Sequence, residues 1–158
     1  MSKISAGITT LTALQNEADI TGELQLRTNG TTTALTLGTD QSATFAGGVN
    51  ENQTNLTGTS PVIDCSTGNI FAITTSGTPT NFAAATNVPT SGTGYGFILK
   101  ITAGGTHVIN YQGLGTNVYW AGGNTPNPPA SGETDILGFI TYDGGTTWYG
   151  FLAGKAMA

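Results

Sequence analysis

Apolar residues along this chain recur at every second position rather than at helical spacing. In "GELQLRTNGTTTALTLGTDQSATFAGG" Leu24 and Leu26, Leu35 and Leu37, and Ala43 and Phe45 each alternate with polar neighbours. That is the period of a strand with one buried face. Asn29-Gly30 and Gly38-Thr39-Asp40 supply turn chemistry between the runs. Three short strands are therefore predicted, too small a set to bury a core alone, so packing against copies of themselves is expected. Residues 1–20 ahead of them are polar and weakly patterned, and a short helix around Ala13 to Ala18 has no clear periodicity behind it.

A polar stretch, "VNENQTNLTGTS" (49–60), reads as the boundary. Beyond it "PVIDC", "NIFAITT", "YGFILKIT", "THVINY", "NVYWA", "TDILGFITY" and "TTWYGFLAG" are rich in β-branched and aromatic residues and are set apart by turn signals. "GGNTPNPPASGE" (122–133) is a loop, because its three prolines cannot serve a central ladder. "AGG" at 46–48, 103–105 and 121–123 and "DGG" at 143–145 each follow an apolar run and read as turns rather than as a repeat architecture. The pattern predicts an all-β chain: an extended N-terminal β arm (1–50), a linker (51–59) and an antiparallel β-sandwich or jelly-roll-like domain (60–158).

Composition adds a reason to expect assembly. Charged residues are 8% of the chain, against roughly a quarter in ordinary domains. Few charges are left to guard sheet edges, so other chains are expected to cover them. Four Lys and Arg against nine Asp and Glu make a poor surface for nucleic acid. No run approaches the ~20 apolar residues of a membrane span, and no basic, apolar leader opens the chain. No partnership with nucleic acid or membrane is expected. The single Cys65 excludes an internal disulfide and a multi-cysteine metal site.

Candidate chemistry is sparse. His107 stands alone at a strand start, with no G-x-S-x-G elbow to pair with it. Cys65 lies in an apolar strand without a nearby cation to lower its pKa. Glu133 and Asp135, two residues apart, are the only pair that suggests a glycan-cleaving acid and base, and they follow the proline loop. The alternate glycines of "SGTGYGF" lead into a strand, whereas a phosphate cradle needs a helix N-terminus. Asp143-Gly144-Gly145 reads as a hairpin bend rather than a metal or phosphate loop. No catalytic residue, cofactor or metal is assigned, and a non-enzyme is expected. Tyr111, Tyr119, Trp120 and Tyr149 are the candidate surface or receptor contacts, with Tyr142 and Trp148 beside them; alternation turns Trp148 and Tyr149 to opposite faces.

"LQLRTNGTTTALTLGTDQSATFAGGV" (24–49) resembles a module near the N-termini of tailed-bacteriophage fibre and virion structural proteins. "YGFILKITAGGTHVINY" and "VYWAGGNTPNPPASGETDILGFITYDGGTTWYGFLAGKAMA" look like the terminal domain of similar proteins of marine and cyanobacterial phages. The resemblance implies a virion component, commonly a homotrimer, and no catalytic residues. One short module and one terminal domain differ from the repeated modules of a long fibre. A capsid decoration (cement) protein or short head fibre is therefore expected at the virion surface, made in the bacterial cytoplasm. It would be held to the major capsid protein or another virion protein by its N-terminal arm. The alternative is a tail fibre that recognises host surface glycan.

Overall fold

The computed structural model describes residues 24–28, 32–40 and 42–157. The chain falls into two compact units, Met1–Asn50 and Glu51–Ala158. The expected weak helix at 13–18 and the Asn29-Gly30 turn lie outside the described residues.

In the first unit the alternating runs are strands: β1 (Leu24–Thr28), β2 (Thr32–Leu37) and β3 (Ala43–Phe45). They form an antiparallel sheet in the order β1-β2-β3. Leu35 lies opposite Phe45 and Leu37 opposite Ala43, so β2 and β3 put their apolar residues on one face. Gly38 N–H donates to the Ser42 carbonyl at 2.9 Å and Ser42 N–H to Asp40 Oδ1 at 3.0 Å, closing the β2–β3 turn. Among the described residues this apolar face is only partly covered: Leu35 is half-buried, whereas Leu37 is 39% and Phe45 54% exposed.

The second unit holds β4 (Gln53–Leu56), β5 (Ile70–Thr74), β6 (Thr80–Asn81), β7 (Tyr95–Thr102), β8 (Ile109–Asn110), β9 (Asn117–Trp120), β10 (Thr134–Thr141) and β11 (Thr147–Met157). Six of them form one sheet in the order β4-β5-β7-β10-β11-β9. The pairs β4–β5, β5–β7 and β11–β9 are parallel, and only the two pairs made by β10 are antiparallel. Five strands therefore run one way and β10 alone runs back between them.

A second layer lies over one face of this sheet. It is built from the connections 59–65, 80–86 and 108–114, which bond side by side. Ala83 N–H donates to the Pro61 carbonyl, Phe82 N–H to Asn110 and Ala85 N–H to Leu114, at 2.9–3.1 Å; β6 and β8 pair in parallel at its centre. Ile63, Cys65, Phe82, Ile109, Tyr111 and Leu114 from this layer meet Phe71, Ile73, Phe97, Leu99, Leu137, Phe139, Val118 and Trp148 from the sheet in one core. Phe97 stacks on Phe139 at 5.0 Å and meets the edge of Trp148 at 5.2 Å, the offset and edge-on geometries that aromatic quadrupoles favour.

The all-β class agrees with the alternating pattern. The expectation of a wholly antiparallel domain does not survive: the connections from β4 to β5, β5 to β7 and β7 to β9 carry apolar residues of their own, cross back over the core, and start the next sheet strand at the same end. Period-two alternation reports a buried face and is silent on strand direction. The stretch 51–59, expected as a linker, carries β4. Its polar composition is that of an edge strand, exposed except for Thr54 and the core-facing Leu56. Among the described residues no helix is long and apolar enough to cross a membrane.

Candidate functional site

The hairpin β10–β11 places the residues around the only Asp-Gly-Gly of the chain. Asp143 accepts from the Thr147 backbone N–H at 2.9 Å and from the Thr141 hydroxyl at 3.0 Å. The Thr141 hydroxyl also accepts from Gly145 N–H at 3.1 Å. Gly144 and Gly145 take φ of 71° and 84°, which a side chain would strain. The Thr147 N–H and the flanking hydroxyls hold the Asp143 carboxyl below its usual range. Its Oδ1 is engaged in closing the turn.

Of the four expected surface aromatics, two are exposed and two are core. Tyr111 and Trp120 are only 3% and 8% exposed, which corrects their assignment as receptor contacts. Tyr111 stacks on Phe82 at 5.6 Å and meets the edge of Trp120 at 5.1 Å, and Trp120 meets Phe139 at 5.3 Å. Strand alternation sends Trp120 inward and Tyr119 outward. Trp148 is fully buried, its indole N–H donating to the Leu114 carbonyl at 3.2 Å, while Tyr149 faces out.

Tyr119 on β9, Tyr149 on β11 and Tyr142 just beyond β10 form a row on the face of the sheet away from the core. They are 56%, 50% and 61% exposed. Ring centroids lie 6.0 Å apart for Tyr119–Tyr149 and 6.4 Å for Tyr142–Tyr149, with interplanar angles of 39° and 53°. Two residues along β11 from Tyr149, the Phe151 ring lies across Gly138, where no Cβ stands in its way. Phe151 and Leu152 then form one wall of a cleft of about 620 Å³, closed by Trp120 and by Asn124, Thr125, Pro126 and Asn127 of the proline loop. On the other side of Phe151 a shallower groove of about 410 Å³ runs over Ile70, Ile98 and Ile140.

The proline loop is tied down from β11. Lys155 Nζ donates to the carbonyls of Asn127 and Pro128 at 2.8 and 3.3 Å, and to Asp135 Oδ2 at 2.9 Å. Asp135, 2% exposed, also accepts from Ala156 N–H at 2.8 Å. Glu133 accepts from Ala130 N–H at 3.1 Å within the same loop. Both carboxylates of the expected acid–base pair therefore serve the loop and strand that carry them. His107 donates from Nδ1 to the Gly105 carbonyl at 2.6 Å, at a turn of its own. Burial pushes the Cys65 thiol up. Among the described residues no three His, Cys, Asp or Glu side chains gather to hold a metal.

Proline-loop residues Asn124, Thr125 and Asn127 are not singled out by the sequence pattern. The available signal is modest: a loop rich in neutral amides between two aromatic strands. No family model, curated protein or solved structure matches the chain.

Proposed function

We propose that this chain is a non-catalytic structural protein of a tailed-bacteriophage virion, a homotrimeric capsid decoration or short head-fibre protein. The N-terminal strands join sister chains and the particle, and the second unit forms the body and its outward face. The observation that supports this reading is the exposure of Leu37 and Phe45 on the shared apolar face of β2 and β3. A sheet that is apolar on one face buries that face against another element. The sequence resemblance to phage virion modules supplies the particle, and the shortage of charge makes neutral Thr- and Gly-rich surfaces available as interface. Trimer symmetry then presents each weak particle contact three times.

Light scattering of the full chain is expected to give the mass of a trimer. Leu37→Asp with Phe45→Asp is expected to give a monomer whose near-ultraviolet signal from the buried Trp148 is retained. A wild-type monomer, or a trimer that survives the double substitution, would overturn the reading. Counting copies in purified particles separates its two forms: hundreds indicate a capsid lattice partner, and a few dozen a fibre.

A further inference from the structure

We propose that the β9–β11 side of the six-stranded sheet binds an uncharged oligosaccharide. Tyr119, Tyr149 and Tyr142 form the stacking platform, and Asn124, Thr125 and Asn127 read hydroxyls in the adjoining cleft. The proposal does not depend on the virion reading, because it rests on the second unit alone.

The chemistry of the surface selects the ligand class. Three tyrosines stand half or more exposed in one row, although the neighbouring Tyr111, Trp120 and Trp148 are taken into the core. A pyranose offers a C–H face that packs on the electron-rich face of an aromatic ring, and a phenol adds a hydrogen-bonding rim. Tyrosine makes such contacts with little entropy to lose. The rings are spaced at 6.0 and 6.4 Å and turned by 39° and 53° to one another. Neighbouring tyrosines therefore present differently oriented faces, which suits successive residues of a glycan rather than one flat ring.

The cleft reached past Phe151 supplies the polar half. Asparagine amides donate and accept at once, and the threonine hydroxyl does the same, which matches sugar hydroxyls that must do both. No charged side chain lines the cleft. The neighbouring cation, Lys155, is held by Asp135 and by two loop carbonyls. A phosphate or uronic acid would meet no counter-charge there, whereas a neutral sugar loses nothing. The same lysine fixes the loop that carries Asn124, Thr125 and Asn127, so less ordering entropy is lost on binding.

The test is a printed panel of neutral and acidic bacterial oligosaccharides probed with the full chain, followed by calorimetry on the best binder. Neutral glycans are expected to be retained. Tyr149→Ala and Asn124→Ala are expected to weaken binding at least tenfold, and Tyr149→Phe to stay within a few-fold of wild type, with circular dichroism unchanged in all three. Retention of acidic glycans only, retention of none, or full binding by Tyr149→Ala would each overturn the proposal. Light scattering on the same samples reads assembly separately. A monomer that binds glycan fails the trimer reading alone, and a trimer that binds none fails this one alone.

Discussion

Asp135 is a carboxyl side chain only 2% exposed beside the core, and its partners show why it is tolerated. It receives the Lys155 ammonium and the Ala156 N–H, so the charge is both paired and hydrogen-bonded, as burial demands. Lys155→Ala is expected to destabilise the fold by about 1–3 kcal/mol in urea unfolding. That is below the cost of breaking a fully buried pair, since Lys155 is 42% exposed and water can replace part of it. Asp143 gives a pH prediction. Its folded pKa lies below the ordinary 3.8, first because of the Thr147 N–H. The stabilisation is therefore complete above about 3.8 and is lost as pH falls through the lower folded value. Asp64 and Asp40, depressed mainly by the Asn87 and Ser42 side chains, act with the same sign. Asp143→Ala is expected to be less stable than wild type at neutral pH and to lose less on acidification. Equal losses in the two proteins would remove the turn carboxylate from the account.

At the scale of elements, β10 is the pivot. It alone runs against the other five strands, pairing with β7 on one side and β11 on the other. Its Leu137 is 1% exposed at the centre of the core, whereas Leu56 on edge strand β4 only partly packs against it. Leu137→Ala is expected to cost about 2–5 kcal/mol, and Leu56→Ala about 1 kcal/mol, in equilibrium unfolding. Similar costs at both sites would mean that β4 is as deeply engaged as the centre of the sheet. The connections matter as much as the strands. Gly113 brings its backbone so close to the Phe82 carbonyl that a Cβ would overlap it, which lets neighbouring crossings lie side by side. A glycine in "YQGLG" reads from sequence as a turn signal; that it lets two backbone segments approach is visible only once they are neighbours.

For the whole molecule the lack of charge bears on the proposed assembly. Contacts made by Leu37, Phe45 and neutral side chains are insensitive to screening. The proposed trimer is therefore expected to persist from low to high salt, and dissociation on adding salt would point instead to ion pairs. The sheet face bearing Tyr119, Tyr142 and Tyr149 lies on the second unit, whereas the apolar face read as the joining surface lies on the first. The two proposed roles, joining and recognition, thus fall on different strands of one chain.

The chain's alternation determined most of the strands. Leu35 and Leu37 with Ala43 and Phe45 share a face as their spacing requires, and Trp148 and Tyr149 part to opposite faces because side chains on a strand must. Asp143-Gly144-Gly145 determined its hairpin, since few residues other than glycine accept the positive φ the turn uses. Strand direction was decided only in three dimensions. A buried face demands a period of two whichever way the neighbour runs, and the crossing layer that makes β4, β5 and β7 parallel depends on contacts between distant segments. The fates of Tyr111 and Trp120 were decided there as well. An aromatic at a strand end suits core and surface alike, and what buries these two is the arrival of Phe82 and Phe139, far from both in sequence.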